Sequence, residues 1–511
     1  MKAEHKIRSA LAAAAAVAAA AGVVVAAPDG AAADGAAGTR ARTGPQGCTQ
    51  VPNAECGTIR VSLVRARPEL GSTTVAYVLI RHTDRGRPTA GTVAFNPGGP
   101  GSSTIALAPR LAQLHADLLA DHDFLLVDPR GVNRSGAVDC GLTAPSATHS
   151  QLLKDAGRCG RALGDRSRAY TSAETADDID AVRARLGIPK LILQGMSYGT
   201  YLMTVYAQRH PGSVRSMVLS GAYPLTRDTW FRSNARAMRR SVRLLCARSG
   251  GRCDGDRVLA DLARLSQRLR QRPIGYTAEG VDRRLDDAAL ASLVYRAASN
   301  IPAQIGGVPA MVSAALRGDS TTLVELARRA TPISGNRGGT DGDVREQDYN
   351  DGQSHAVACN DYRWSWDRSA PIKTRLRQYT AARAALPEAD YTPFGKVAWT
   401  KALRSDNCIL WPDRRPPVQR TSGPFADVPV LVVSGDLDPN TTTEQGRQAA
   451  AQFRHGTLLE VPNLGHITEV EPSGCVASIQ HAFIRTGHLG DTRCLAKIPP
   501  VPVEKSPPGV R

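Results

Sequence analysis

The stretch Leu191-Ile-Leu-Gln-Gly-Met-Ser-Tyr-Gly-Thr200 places a short apolar run directly before Gly195-Met196-Ser197-Tyr198-Gly199, the pattern G-x-S-x-G. The run Leu191-Ile-Leu193 reads as a buried strand, and Tyr201 to Gln208 reads as a helix. A strand that turns so sharply into a helix forces the serine between them into a strained backbone conformation. Glycines on either side leave room for that approach. The Ser197 oxygen then stands exposed above the sheet, at a helix N-terminus where backbone N–H groups stabilise negative charge. An ordinary glycine-rich turn is the alternative. The agreement of motif and context favours a nucleophile.

Outward from this elbow, strand-like and helix-like stretches alternate between Gly57 and Ser220. Thr73 to Ile80, Thr92 to Asn96, Asp123 to Asp128 and Val214 to Leu219 read as strands, rich in β-branched and aromatic residues. Between Ser172 and Leu186 the residues Ala176, Ile179, Val182 and Leu186 fall on one helical face, with Thr171 or Ser172 as cap and Gly187 as stop. Such alternation predicts an α/β fold, a mostly parallel sheet with helices on both faces. After Tyr223-Pro224 roughly 200 residues pass before the next buried strand, far more than an ordinary connection. Much of that segment has amphipathic helical spacing, as in Val258 to Leu269, and Ser334 to Asp343 interrupts it as a glycine-rich loop. The sheet resumes at Val428. Thr457 to Val461 supplies another strand and Cys475 to Arg485 a closing helix. The expected organisation is a core at 48–224, a large, mainly helical inserted cap at 225–420, a second core part at 421–497 and a loose proline-rich tail at 498–511.

The chain has 511 residues, of which 22% are charged and 42% hydrophobic, the balance of a globular protein. Its formal net charge is +17. The arginines are scattered among acids, without a compact basic block or an aromatic-basic motif, so nucleic-acid binding is not expected. Lys2, Lys6 and Arg8 precede the alanine-valine run Ala10 to Ala27, with small-residue cleavage sites up to Ala33. This is a secretory-signal pattern at 1–33, and 34–47 reads as a propeptide or flexible segment. No later stretch is long and apolar enough to span a bilayer, so no stable membrane association is expected. Export agrees with ten cysteines, an even number suited to disulfides. A preference for short loops gives Cys48–Cys56, Cys140–Cys159, Cys246–Cys253, Cys359–Cys408 and Cys475–Cys494. Tight Cys/His pairs that would hold zinc are absent, and no metal is expected.

A serine hydroxyl needs a base. Among eleven histidines, His466 stands out, because Pro462-Asn-Leu-Gly-His466 follows a late strand, where a sheet presents catalytic loops. An acid must orient that imidazole. Gly435-Asp-Leu-Asp-Pro439 ends the strand at Val428 and offers Asp436 and Asp438. Strand periodicity does not choose between them. Phe95-Asn-Pro-Gly-Gly-Pro-Gly-Ser102, after an early strand, is suited to supply backbone oxyanion donors.

Together, Asn96 to Gly101, Asp128-Pro-Arg-Gly131, Gly195 to Gly199, Gly435 to Pro439 and Gly465-His466 resemble the secreted tripeptidyl aminopeptidases of bacteria. These are α/β-hydrolases related to prolyl iminopeptidases. Ser…Asp…His is also the chain order of the α/β-hydrolase triad. Ala358-Cys-Asn-Asp361 and Cys408 to Pro412 resemble the same group, which favours the Cys359–Cys408 pairing. The resemblance runs from about Cys48 to about Cys494. It implies release of short peptides from free N-termini, with no cofactor. It also implies Ser197 as nucleophile, His466 as base, Asp438 as orienting acid, and Tyr198 and Gly99 as oxyanion donors. Asp438 further precedes Pro439, and Thr441 with Glu444 reads as a capping box of the next helix. Asn133, Asn440 and Thr442 depart from the family pattern, which bears on specificity. A peptide's ammonium needs an acid partner. Glu346, Asp348, Asp351 and Asp361 are available in the insert, Asp361 first among them. A carboxylesterase or lipase with the same triad is the alternative function, and a silent binding protein on this fold a third. The number of subunits is left open.

Overall fold

The computed structural model describes residues 51–504, apart from 142–147, 279, 301, 331–347, 413–415 and 417. The signal pattern, Cys48, the Ser334–Asp343 loop and Glu346 lie outside the described residues. The strands are β1 (Ala54–Ser62), β2 (Ser72–Ile80), β3 (Gly91–Asn96), β4 (His122–Val127), β5 (Leu191–Met196), β6 (Val214–Ser220), β7 (Ile274–Ala278), β8 (Val281–Leu285), β9 (Val430–Gly435) and β10 (Gly456–Val461). Eight of them form one sheet in the order β1-β2-β4-β3-β5-β6-β9-β10. Strand β2 pairs antiparallel with both β1 and β4, while β4 through β10 are parallel neighbours. Strands β4, β5 and β9 are buried at every residue, which is why they read as continuous apolar runs. Strand β1 was not anticipated. Its exposure varies residue by residue at the sheet edge, and polar residues interrupt its apolar pattern.

Helices cover both faces. Along β2, Val75 and Leu79 pack on one side with Ile179, Val182 and Val205, whereas Ala76 and Val78 pack on the other with Leu111, Val476 and Phe483. This alternation is the two-residue period of a strand buried on both faces. The helix Ser172–Arg185 forms as expected: Thr171 Oγ accepts from Glu174 N at 3.1 Å, and Gly187 ends the segment at φ +69°. The buried Arg130 guanidinium grips Asp178 of that helix with bonds of 2.6 and 2.7 Å.

Among the described residues, eight α-helices and the hairpin β7–β8 lie between β6 and β9. The hairpin was not expected among helical spacing, since its strands are short and mostly polar. Helices from both ends of the insert share a core of their own, including Met238, Leu262, Val294, Val312 and Trp399. The helix Asp351–Asp361, between them in the chain, instead contributes Ala356, Val357 and Cys359 to the core on one sheet face. Disulfides join Cys140–Cys159, Cys246–Cys253, Cys359–Cys408 and Cys475–Cys494.

The C-terminal segment is not a loose tail up to residue 504. Ile498 and Val503 are buried, Asn463 Nδ2 donates to Ile498 O at 2.9 Å, and Glu504 N donates to Gly306 O at 3.2 Å. The prolines fix extended backbone while the apolar residues between them are buried, and composition alone hides that second effect.

Candidate active site

Ser197, the glycine loop, Asp438 and His466 all follow the carboxyl ends of parallel strands, β5, β3, β9 and β10, where open α/β sheets bind ligands. Ser197 is held at φ +53°, ψ −125°, immediately before the helix Tyr198–Arg209. The turn is tight: a methyl group on Gly195 would lie 2.5 Å from Gly199 O, and one on Gly199 would overlap Asn96 O. The strained serine expected at this turn is therefore present.

His466 and Asp438 are joined directly. Nδ1 of the imidazole lies 3.0 Å from Asp438 Oδ2, and both residues are buried. Thr441 completes the arrangement. Its hydroxyl donates to Asp438 Oδ2 at 2.7 Å and lies 2.8 Å from His466 Nδ1. The Nδ1 proton is thus shared between a carboxylate and a hydroxyl, which leaves Nε2 as the basic nitrogen. Backbone N–H groups of Asn440 and Thr441 donate to the two carboxylate oxygens at 2.7 and 3.2 Å.

Thr441 does not cap the next helix, contrary to the sequence expectation. Thr442 does, in a reciprocal capping box with Gln445. Three successive threonines made the register ambiguous, and the one-residue shift frees Thr441 for the histidine. Asn440 also has a defined place, because Tyr295 donates its hydroxyl to Asn440 Oδ1. Asp436 is more than a neighbouring loop acid. It forms an ion pair with Arg248 at 2.6 Å and accepts from Asn463 N at 2.8 Å, binding the ends of β9 and β10 to the insert.

The serine is tied to the histidine through backbone. Ser197 N–H donates to Ser220 O at 2.9 Å, and the next residue, Gly221, abuts the imidazole. Gly221 has φ +60°, and a methyl group there would lie 3.0 Å from His466 Cε1 and 2.8 Å from Thr441 Oγ. Only glycine meets both demands.

On the other side of the elbow, a methyl group on Gly98 would lie 2.9 Å from Tyr198 N and 3.1 Å from Ser197 Cβ. Gly98 N–H itself donates to Asn96 Oδ1 at 3.0 Å. Asp128 anchors the loop's far end, accepting from Ser103 Oγ at 2.8 Å and Ile105 N at 2.9 Å. Burial pushes the Asp128 carboxyl up to about 6. The insert grips the same loop: Ser103 N donates to Asp348 O at 2.7 Å, and Asn350 N to Gly101 O at 2.8 Å.

Asp361 ends the helix Asp351–Asp361 as a buried acid, not as a solvated loop residue. Its Oδ2 accepts from Ser172 N at 2.8 Å and Ser172 Oγ at 2.6 Å, and Ser172 Oγ lies 2.7 Å from the Tyr198 hydroxyl. Burial raises its carboxyl to about 6, against the opposing effect of Ser172. Among the described residues no cluster of His, Cys, Asp and Glu is placed to hold a metal ion, and no helix is long and apolar enough to cross a membrane.

The family described as alpha/beta hydrolase fold matches residues 91–471. The chain is an alpha/beta hydrolase. Over 491 residues the hydrolase is 26% identical to a tripeptidyl aminopeptidase of Streptomyces lividans, a match covering 88% of this chain and 85% of that protein. It is 27% identical over 482 residues to the serine protease Hip1 of Mycobacterium tuberculosis, covering 85% of each chain. A carboxylesterase B of the same species is 27% identical over 477 residues, again covering 85% of each. The hydrolase is thus a distant, nearly full-length relative of peptidases and of an esterase.

Proposed function

We propose that this hydrolase is an exported serine exopeptidase that releases short peptides from free N-termini. The reading is carried by the imidazole whose Nδ1 is shared by Asp438 and Thr441 beside a strained serine elbow. Ser197 attacks the scissile carbonyl while His466 Nε2 takes its proton. Asp438 holds the tautomer and stabilises the imidazolium. Backbone N–H groups of Tyr198 and Gly99 receive the oxyanion, since the Gly98 N–H is committed to Asn96. His466 then protonates the leaving amine, and water hydrolyses the acyl-enzyme by the reverse roles. Asp361 keeps Oδ1 outside its contacts with Ser172, and the reading assigns that oxygen to the substrate's ammonium. The peptidase relatives support the substrate class, and the four disulfides among the described residues suit an oxidising compartment.

The relative named as a carboxylesterase favours a second reading, ester hydrolysis by the same residues. Assays on Ala-Pro-Ala-anilide, its acetylated form and a p-nitrophenyl ester, with Ser197→Ala as control, separate the two. The exopeptidase reading expects Ser197-dependent turnover of the free peptide and little of the acetylated one. Equal rates on both peptides, or turnover of the ester alone, overturn it.

A further inference from the structure

The loop that carries Asp438 is held from the insert, and one residue that holds it has no task in the mechanism above. The helix Arg232–Ala247 opens the insert and lies against residues 436–440. Asn234 and Ser241 lie about two turns apart on it and so share one face. Asn234 is buried, and its Nδ2 donates to Pro439 O and to Asn440 O, both at 2.7 Å. Carbonyl oxygens only accept, so the amide nitrogen must face the loop, and both of its protons are used.

Pro439 O and Asn440 N–H are opposite ends of one planar peptide unit, and Asn440 O and Thr441 N–H are opposite ends of the next. Those N–H groups hold the Asp438 carboxylate, at 2.7 Å on Oδ1 and 3.2 Å on Oδ2. A single side chain thus grips the carbonyl ends of two peptides whose N–H ends grip the two carboxylate oxygens. Because each unit is planar, fixing its carbonyl fixes the direction of its N–H. Hydrogen bonds in series also polarise one another.

The other contacts of this helix with the loop differ. Arg240 Nη1 donates to Asp436 O at 2.6 Å, and Ser241 shares its proton between Leu437 O and Ala237 O, each at 2.9 Å. The N–H groups of those two peptide units go to Leu464 O and Gly435 O, not to the carboxylate. Asn440, one of the departures from the family pattern, is also held at its side chain, by the Tyr295 hydroxyl of the helix Asp287–Ser299. The insert therefore fixes Asn440 through backbone and side chain together.

We propose that Asn234 is a positioning residue for the Asp438 carboxylate, acting through the two peptide units on either side of Asn440. The proposal rests on Asp438 as the acid that orients His466, and not on the substrate class.

The rate of Ser197 labelling by a fluorophosphonate tests it on the full-length protein, whichever substrate is turned over. Ser197 Oγ bonds to phosphorus as fluoride leaves, and His466 takes the hydroxyl proton. Asn234→Leu keeps nearly the same shape and removes both donors. Its labelling rate should fall about 10- to 100-fold, a part of the loss of about 10⁴-fold expected for Asp438→Asn. Asn234→Ser keeps one proton and should lose less. Ser241→Ala, on the same helix face, should lose less than about threefold. On Ala-Pro-Ala-anilide or a p-nitrophenyl ester, kcat should fall in the Asn234 variants with KM nearly unchanged. In the Asp438→Asn background Asn234→Leu should cost little more, because its route to the chemistry is the carboxylate. A merely structural asparagine would slow labelling equally in both backgrounds. That equality overturns the proposal, as does a loss in Ser241→Ala as large as in Asn234→Leu, or wild-type labelling by both Asn234 variants. If Asn234→Leu does not fold, Asn234→Ser carries the same comparisons. Silent Asn234 variants beside a crippled Asp438→Asn remove the proposal alone. An Asp438→Asn protein that labels like wild type, or a wild type whose Ser197 is not labelled, removes the site reading and the proposal together.

Discussion

His466 Nδ1 and Asp438 Oδ2 stand 3.0 Å apart in a buried setting, on loops that follow adjacent parallel strands. Replacing Asp438 by Asn would put an amide where the imidazole needs an acceptor and would favour the wrong tautomer. The expected loss in kcat is about 10⁴-fold, with the folded state retained by circular dichroism. A kcat within tenfold of wild type would show that another acid serves the histidine.

Asp436→Asn should behave in the opposite way. The ion pair with Arg248 and the bond from Asn463 N are structural, so their weakening should lower unfolding free energy by about 1–3 kcal/mol. Turnover measured well below Tm should change by less than about threefold, as expected for a stability effect alone. Urea unfolding beside steady-state kinetics checks both halves. A large kcat loss at unchanged stability would reverse the assignment of the two aspartates.

Thr441 supplies one hydrogen bond to a carboxylate and one contact to the imidazole. A bond of that charged kind is worth about 1.5–3 kcal/mol, so Thr441→Val should lower kcat about 10- to 100-fold. Thr441→Ser keeps the hydroxyl and should recover most of the rate. Equal defects in both variants would mean that the methyl group matters and the hydroxyl does not.

Gly221→Ala would drive a methyl group against Thr441 and the His466 ring from a left-handed backbone position. The imidazole must shift, and misplacement of about 1 Å costs about 100-fold in rate. The kcat of the variant is the measurement. A rate near wild type would show that the ring has room to move without penalty.

Asp361 links acidity to stability. Its carboxyl titrates at about 6 when folded, chiefly because it is buried, and near 4 when unfolded. Between those values the folded chain binds the extra proton, so this group's contribution falls as pH rises through the window and is fully lost above it. Asp128 acts in the same direction. Asp361→Asn should therefore gain stability relative to wild type, on the order of 3 kcal/mol, between pH 4 and pH 7. Denaturant unfolding at the two pH values measures it, and a constant difference would contradict the raised carboxyl.

Much of the fold was legible because the central strands are buried on both faces and read as unbroken apolar runs beside G-x-S-x-G. Strand β1 and the β7–β8 hairpin were not, since polar residues break their patterns and their partners supply the order. Ser197, Asp438 and His466 could be singled out from motif, chain order and family resemblance. Thr441 was given to the wrong bond, because sequence spacing cannot separate Thr441 from Thr442 as the cap. The buried surroundings of Asp361 were hidden for a related reason: Ser172 and Tyr198 lie far from it in the chain and meet it only when the insert folds back on the core.

The backbone bonds from Ser103 N to Asp348 O and from Asn350 N to Gly101 O carry a mechanical consequence. They splice the inserted chain to the glycine loop, proposed above to present the oxyanion donors, much as a short strand pair would. This part of the insert cannot swing away as a hinged cover without distorting those donors. Any displacement of this part of the insert is therefore transmitted directly to the glycine loop, and the two move as one mechanical unit.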